Sequence, residues 1–301
     1  MLLDEDAVRR LLRMEELISA MERALADLST GHVMQPVRLM LPVSEHSGFF
    51  ATMPASTREA LGAKLVTFYP GNRGVPTHHA LILLFRPETG EPLVTMDGRL
   101  ITEMRTAAVS AVATHRLARP DASVLAILGS GVQAGSHLEA LRLVREFREV
   151  RVWSPRHAGT FAERFGVRAA GSAEEVVRGA DTVVVATSSQ TPVLRGEWLS
   201  PGTHVNAVGA CRPDWRELDD EAVRRARLYV ESREAATRES GDVIAAGEVI
   251  AEIGEVIAGT RPGRQTAEEV TLFKSVGVAV EDVVAADMVY RAAVDQPDTR
   301  A

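Results

Sequence analysis

Apolar residues follow two different rhythms in the first third of the chain. Between residues 4 and 30 they recur at helical spacing, with Asp4 placed to cap the first helix and Gly31 to end the second. Between residues 37 and 96 short apolar runs alternate with turns rich in Pro, Gly, Asn and Ser. Because no helical pattern separates these runs, we predict a mostly antiparallel sheet. Its strands are expected at 37–42, 48–53, 62–68, 80–85 and 93–96.

Beyond residue 102 the pattern alternates between helices and apolar strands. A predicted helix over 102–118 is followed by a break at Arg119-Pro120-Asp121. The alternation after this break is typical of a doubly wound parallel sheet. A final helix from Glu281 to about Val294 should return to the first domain to bury its apolar face, and 296–301 is expected to be a frayed tail. The predicted parallel strands are 124–128, 150–153, 183–186, 204–208 and 228–230.

Composition and charge narrow the class of protein. The 301 residues are 46% hydrophobic and 25% charged, which is ordinary for a globular protein with one or two domains. The net charge of −7 argues against nucleic acid or an anionic membrane as a partner. No apolar run has the length of a membrane span, and no signal peptide is visible. The single cysteine, Cys211, rules out an internal disulfide and a cysteine-based metal cluster, so we expect a cytoplasmic enzyme without a metal.

A glycine-rich segment follows the first strand of the second half. The strand at 124–128 leads directly into Gly129-Ser-Gly-Val-Gln-Ala134, and an amphipathic helix follows. Gly129 would permit the tight turn, Gly131 would let a pyrophosphate approach the helix N-terminus, and Ala134 would allow close packing of helix and strand. The motif also occurs as a plain turn in other α/β proteins, but its flanking strand and helix favour a Rossmann-type dinucleotide site.

The end of the next strand indicates which dinucleotide is bound. An NAD site usually has Asp or Glu at this place to accept hydrogen bonds from the adenosine ribose. This chain has Ser154-Pro-Arg-His157 instead, and Glu149 lies at the opposite end of the strand. Arg156 could pair with a 2′-phosphate through its guanidinium group, so we predict NADP(H) rather than NAD(H). The alternative is that Arg156 only begins the following helix.

Three cations lie in or beside apolar segments of the first half. Arg38 and Lys64 fall on predicted strands, and Arg105 lies near the start of a predicted helix. Burying such groups costs free energy unless an anion pairs with them. Each cation by itself could belong to a structural salt bridge. Together, and near Pro76-Thr-His-His79, they favour a pocket for a small carboxylate.

Several ordered motifs resemble the ornithine cyclodeaminase/mu-crystallin family, and the likeness is closest to its mu-crystallin, or ketimine reductase, branch. The resemblance extends from about residue 10 to residue 294. It is carried by Met34-Gln-Pro-Val-Arg38, Lys64-Leu-Val-Thr-Phe-Tyr69, Met96-Asp-Gly98, Arg105-Thr-Ala-Ala-Val-Ser-Ala111, Leu128-Gly-Ser-Gly-Val-Gln-Ala134, Asn206-Ala-Val-Gly-Ala210, Arg212-Pro-Asp-Trp-Arg-Glu-Leu218, Glu239-Ser-Gly-Asp242 and Phe273-Lys-Ser-Val-Gly277.

The resemblance implies two domains, one that binds substrate and one that binds the dinucleotide. Residues 1–118, with the C-terminal helix 281–301, would form an α+β domain that binds substrate and pairs with its twin in a homodimer, and residues 119–280 would form the Rossmann domain. Arg38, Lys64 and Arg105 would grip the substrate carboxylate beside the nicotinamide. The dinucleotide would be lined by Thr77, Thr106, Gly129, Ser130, Gly131, Val132, Gln133, Ser154, Arg156, Thr187, Ser188, Val208, Lys274 and Ser275, with His78 also near its nicotinamide end.

One departure from the family pattern concerns the chemistry. Cyclodeaminases resembling this chain have an Asp where Cys211 stands here. A thiol cannot replace a carboxylate as base and counter-ion of an ammonium group at neutral pH. Asp214 lies three residues further on, so its side chain need not reach the same point. This difference argues against ornithine cyclisation.

The predicted function is NADPH-dependent reduction of cyclic ketimine carboxylates of the pyrroline- or piperideine-2-carboxylate type. The predicted catalytic residues are Lys64, Arg105, His78 and Asp214, and the proton would come from Lys64 or His78. One alternative is an alanine-type amino-acid dehydrogenase, or a cyclodeaminase that recruits Asp214. Another is an NADPH-dependent protein that binds small molecules with little turnover.

Overall fold

A six-stranded sheet forms the centre of the first part of the chain in the computed structural model, which describes residues 1–295. The strand order is β1-β6-β5-β4-β3-β2, and all pairs are antiparallel except β1 with β6. The mostly antiparallel sheet predicted from the sequence is therefore present. Its strands are β1 (Leu2–Leu3), β2 (Leu39–Val43), β3 (Gly48–Ser56), β4 (Leu61–Phe68), β5 (His78–Phe85) and β6 (Pro92–Asp97).

Helices α1 (Glu5–Leu11) and α2 (Met14–Ser29) belong to the same part of the chain as this sheet, and α3 (Arg99–Leu117) follows β6. The Asp4 side chain caps α1 as predicted, accepting a hydrogen bond from the Ala7 N–H at 2.8 Å. The two-residue strand β1 was not predicted, because so short a segment shows no period.

An eight-stranded, wholly parallel sheet forms the second half, in the order β13-β12-β14-β11-β10-β7-β8-β9. This confirms the α/β class and the doubly wound sheet. Strand β7 is apolar throughout and β10 is apolar after Thr182, and both are fully buried, as is typical of parallel strands covered on both faces. The strands are β7 (Val124–Leu128), β8 (Glu149–Trp153), β9 (Arg168–Ala169), β10 (Thr182–Val185), β11 (His204–Ala207), β12 (Ala226–Val230), β13 (Ala251–Glu252) and β14 (Val270–Lys274).

Helices and loops of this half follow the carboxyl ends of the parallel strands. In doubly wound sheets these ends form the edge at which ligands bind. None of the helices in residues 1–295 combines the length and apolarity needed to cross a bilayer. The helices of this half are α4 (Val132–Arg142), α5 (Ala158–Phe165), α6 (Ala173–Val177), α7 (Asp220–Arg225), α8 (Arg233–Glu239), α9 (Gly241–Ala246) and α10 (Ile253–Ile257).

The last helix, α11 (Ala279–Asp295), packs against α2, β3 and β4. The chain forms two compact units, Met1–Arg105 with the segment from Val278, and Thr106–Gly277. This division falls inside α3, whereas the boundaries expected from the sequence were 118/119 and 280/281. Arg105 is the last residue of the first unit before this break, and its guanidinium group bonds to α11 of the same unit. The tail expected at 296–301 lies outside the described residues.

Candidate active site

Four charged side chains meet in the interior of the first unit, and we refer to Lys64, Arg105, Glu281 and Asp282 as the buried charge cluster. Lys64 Nζ lies 2.6 Å from Asp282 Oδ2, and Arg105 Nε donates to Asp282 Oδ1 at 3.1 Å. Arg105 Nη1 donates to Glu281 Oε2 at 2.5 Å. None of the four side chains is more than 5% exposed. The two cations are therefore held by two carboxylates from within the chain.

Local structure explains how these charges come to be buried. Lys64 lies on the buried face of β4, and its neighbours in register on β3 and β5 are the apolar residues Met53 and Ile82. Both carboxylates lie in the first turn of α11, where the helix dipole favours negative charge. Lys64 and Arg105 thus form salt bridges within the chain, which is the alternative to a ligand pocket raised by the sequence. Their burial alone therefore does not require a ligand.

The charges in this cluster shift one another's protonation. Burial lowers the pKa of Lys64 to about 8; the charge and hydrogen bond of Asp282 oppose this shift, and the charges of Arg105 and Arg38 add to it. Burial acts to raise the pKa of Asp282, but the charges of Arg105 and Lys64 outweigh it, and the pKa lies below its ordinary value. Lys64 can therefore both hold and release a proton close to neutral pH, which an arginine cannot do.

Two further predicted residues, Arg38 and His78, interact electrostatically with Lys64. Arg38 is half-buried just before β2, and its charge reaches Lys64 strongly enough to lower the pKa of that ammonium group. His78 is the first residue of β5, and its ring stacks on Phe68 with centroids 4.4 Å apart. Desolvation and then the positive charge of Lys64 lower the pKa of His78. Thr77 is exposed just before β5, and its Oγ1 lies 3.2 Å from His78 Nδ1.

In the second unit the glycine-rich segment forms the turn from β7 to α4. Gly129 has φ +116°, and a Cβ atom on it would lie 2.2 Å from the Ala186 carbonyl oxygen, so only glycine fits. Gly131 is the N-cap of α4, with no side-chain cap and with open space where a Cβ atom would stand. The backbone N–H groups of this turn are therefore approachable by an anion, and the residues present fit a dinucleotide pyrophosphate.

Predicted cofactor residues border this turn. Ser130 Oγ donates to Ser154 Oγ at 2.8 Å, which ties the loop after β7 to the loop after β8. Val132 and Arg156 are exposed, and Gln133 is half-buried with its Oε1 atom lacking a hydrogen-bond partner within residues 1–295. Within the same residues no group of three or more His, Cys, Asp or Glu side chains is placed to hold a metal ion.

A buried carboxylate that the sequence did not single out holds two neighbouring loops at the end of the parallel sheet. Glu217 Oε1 accepts hydrogen bonds from Thr187 N at 2.8 Å and Thr187 Oγ1 at 2.6 Å. Glu217 Oε2 accepts from the N–H groups of Gly209 at 2.7 Å and Ala210 at 3.1 Å. These loops follow β10 and β11, so Glu217 fixes Thr187, a residue predicted to line the dinucleotide.

Behind Glu217 lies a second buried ion group. Asp242 accepts hydrogen bonds from the backbone N–H groups of Glu217 and Leu218, and Lys274 Nζ lies 3.9 Å from Asp242 Oδ2. Burial raises the pKa of Glu217 and of Asp242, while the charge of Lys274 acts in the opposite direction on both. Lys274 is fully buried and Ser275 nearly so.

The remaining predicted positions are distributed along the second unit. Thr106 and Val208 are buried, and Ser188 is exposed after β10. Cys211 Sγ lies 3.5 Å from the Val208 carbonyl oxygen, behind the end of β11. Asp214 is an exposed loop residue whose carboxylate accepts from Arg212 Nε at 3.3 Å.

Comparison with known proteins identifies the family of this chain. The model of the ornithine cyclodeaminase/mu-crystallin family matches residues 1–297. The chain belongs to this family. It is 52% identical to the mouse (Mus musculus) ketimine reductase mu-crystallin, over 91% of each chain. It is 38% identical to a Delta(1)-pyrroline-2-carboxylate reductase of Bacillus cereus, over 96% of this chain and 95% of the relative.

Solved structures of family members share the whole fold. The structure of Thermococcus litoralis Delta(1)-pyrroline-2-carboxylate reductase in complex with NADH and L-proline superposes with a TM-score of 0.94, at 40% identity and 98% coverage of both chains. An archaeal alanine dehydrogenase dimer with bound NAD has a TM-score of 0.93 at 38% identity, covering 98% of this chain and 96% of that one. The predicted family and fold class are confirmed.

Proposed function

We propose that this protein reduces cyclic ketimine carboxylates, such as pyrroline-2-carboxylate and piperideine-2-carboxylate, to the corresponding cyclic amino acids. The observation that carries the proposal is the buried charge cluster with Arg38 beside it. Lys64, Arg105 and Arg38 converge there, and the charges of the two arginines help to lower the pKa of Lys64. Cations gathered in this way attract a small carboxylate, and a guanidinium group can hold it through two hydrogen bonds. The ketimine reductase and pyrroline-2-carboxylate reductase relatives support the same substrate class.

The reaction needs a hydride at the imine carbon and a proton at the imine nitrogen. When bound, the dinucleotide supplies the hydride. Arg38 and Arg105 bind and orient the substrate carboxylate, so that orientation contributes to the rate. Lys64 holds the proton, since its lowered pKa of about 8 leaves it mostly protonated at neutral pH yet able to release the proton. We assign this role to Lys64 rather than His78, because the lowered pKa of His78 leaves its ring neutral there.

The dinucleotide half of the reaction rests on the second unit. Gly129 and Gly131 would leave room for the pyrophosphate, and Ser130, Ser154 and Thr187 would supply hydroxyl groups to hold the dinucleotide. We propose NADPH rather than NADH as the preferred reductant. Arg156 is exposed in the segment after β8, and residues 154–157 contain no carboxylate that would repel a 2′-phosphate.

We also propose that the protein is a homodimer formed through the first unit. Edge strand β2 exposes Leu39 at 70% and Leu41 at 57%, and Met34, which precedes it, is 80% exposed. Large apolar side chains this exposed on an edge strand favour association. The solved alanine dehydrogenase relative is described as a dimer. The cytoplasmic location expected from the sequence stays a prediction.

An amino-acid dehydrogenase activity is the second candidate. It is favoured by the likeness to an alanine dehydrogenase of Archaeoglobus fulgidus, 36% identical over 98% of this chain and 96% of the relative. NADPH oxidation distinguishes the two functions when it is followed with piperideine-2-carboxylate, with pyrroline-2-carboxylate, and with pyruvate plus ammonia. Turnover on the cyclic imines is expected. Activity confined to pyruvate plus ammonia would assign the protein to the dehydrogenases, and bound NADPH without turnover would favour the small-molecule binding protein.

A further inference from the structure

Asp282 contacts both cations of the buried charge cluster, one with each carboxylate oxygen. Oδ2 is engaged by Lys64 at 2.6 Å and Oδ1 by Arg105 at 3.1 Å, so the plane of a single carboxylate fixes both groups. The Asp282 side chain is fully buried in the first turn of α11. Because one buried carboxylate engages both cations, its geometry fixes the spacing between them.

Lysine is rare in this chain, and one of its two lysines contacts Asp282. The sequence holds 34 basic residues, of which only Lys64 and Lys274 are lysines. Both are buried, and all other basic positions carry arginine, which stays protonated in proteins. A lysine at position 64 thus introduces a group that can lose its proton, at a point where an arginine would have supplied charge alone.

We propose that Asp282 is a positioning residue, which holds the Lys64 ammonium beside the Arg105 guanidinium and keeps Lys64 protonated until it gives its proton to the imine. The proton transfer in this inference rests on the proposed function. The effect of Asp282 on the protonation of Lys64 does not, because it is a property of the protein without substrate. The groups that act on Lys64 are Asp282 from α11, Arg105 from α3 and Arg38 from the segment before β2, and Lys64 in turn acts on His78 of β5. Of these, only Asp282 favours the protonated form.

Glu281 provides a matched comparison from the same helical turn. Its carboxylate is equally buried, but its bond is to Arg105 Nη1. Neutralising Glu281 should therefore weaken the binding of the substrate carboxylate by Arg105 more than it changes the pKa of Lys64. Neutralising Asp282 should affect both.

The experiment uses the low lysine content of the chain. Full-length protein labelled with ¹³C at the lysine ε-carbon should give two signals in an NMR titration without substrate, and Lys64→Arg identifies the signal that remains as Lys274. We expect the Lys64 midpoint near pH 8 in the wild type. In Asp282→Asn it should fall by about one to three pH units, the usual effect of a close opposite charge, and in Glu281→Gln by clearly less. An unchanged midpoint in Asp282→Asn, or equal falls in both variants, would overturn the proposal.

A second variant covers the case in which Asp282→Asn does not fold. Asp282→Glu keeps the charge but moves the carboxylate by one methylene group. The Lys64 midpoint should then stay near that of the wild type while kcat on the cyclic imine falls, because the spacing of the two cations is lost. A wild-type kcat in this variant would contradict the positioning role. Wild-type protein that titrates as expected but reduces no imine would refute the proposed function and leave the electrostatic role of Asp282 standing.

Discussion

Glu217 offers a direct test of how the cofactor site is held in place. Its carboxylate accepts four hydrogen bonds, two from Thr187 and one each from Gly209 and Ala210. Glu217→Gln keeps the shape but has one oxygen, so its amide NH₂ must face two of these donors. A buried donor that loses its acceptor costs about 1–3 kcal/mol. Two such donors lower the free energy of unfolding by about 2–6 kcal/mol.

The same substitution should weaken cofactor binding. If the loop carrying Thr187 shifts enough to lose a single hydrogen bond to the dinucleotide, worth about 1 kcal/mol, the Kd for NADPH rises about fivefold. Denaturant unfolding and a fluorescence titration with NADPH measure the two effects. Glu252→Gln serves as control. Glu252 lies on the edge strand β13, and its carboxylate accepts from the backbone N–H of Arg233 and caps α10, so stability should fall without a change in Kd. Wild-type stability and affinity in Glu217→Gln would refute the reasoning.

Three further predictions concern the proposed active site. Arg105→Leu should raise KM for the imine carboxylate and lower kcat, because grip and orientation are both lost, and unchanged kinetics would remove Arg105 from the site. Arg156→Ala should raise the Kd for NADPH but not for NADH, and equal weakening of both would refute the 2′-phosphate assignment. Lys64→Arg should lower kcat roughly 10²- to 10⁴-fold, because arginine keeps the charge but cannot release a proton; a kcat like that of the wild type would mean that another group is the donor.

Protonation of Lys64 also predicts how stability depends on pH. The pKa is about 8 in the folded protein and 10.5 for a free lysine, so the unfolded chain binds more protons between these values. The folded state is therefore disfavoured below pH 8 by this group, and stability relative to Lys64→Met should rise as the pH increases from about 8 to 10.5. Paired unfolding curves over this range measure the difference. A constant difference would show that Lys64 titrates normally.

Periodic patterns made much of the fold predictable. The five strands at 37–96 and the parallel strands β7 and β8 alternate with turns or helices at regular spacing, and Gly129 lies where the first of these parallel strands ends. Such features depend on neighbours in sequence. Strand β14 was missed because Thr271 and Lys274 break its apolar run, although both are fully buried in the sheet.

The partners of the site residues depend on contacts that no local pattern reveals. Arg105 and Asp282 lie 177 residues apart in sequence, and acidic residues in a first helical turn are ordinary capping features. Nothing near position 282 therefore marks it as the counter-ion of Lys64. Glu217 lies within a motif that carries the family resemblance, but its role becomes clear only when β10 and β11 bring their loops together around it.

Transfer of deuterium tests the central claim most directly. The protein is incubated with piperideine-2-carboxylate and NADPH that carries deuterium at C4 of the nicotinamide, prepared separately as each C4 stereoisomer, and the product is analysed by mass spectrometry. The account predicts that one stereoisomer delivers a single deuterium to the ring carbon beside the carboxylate, which gives a labelled cyclic amino acid. Product without deuterium from either stereoisomer, or no product at all, would contradict it.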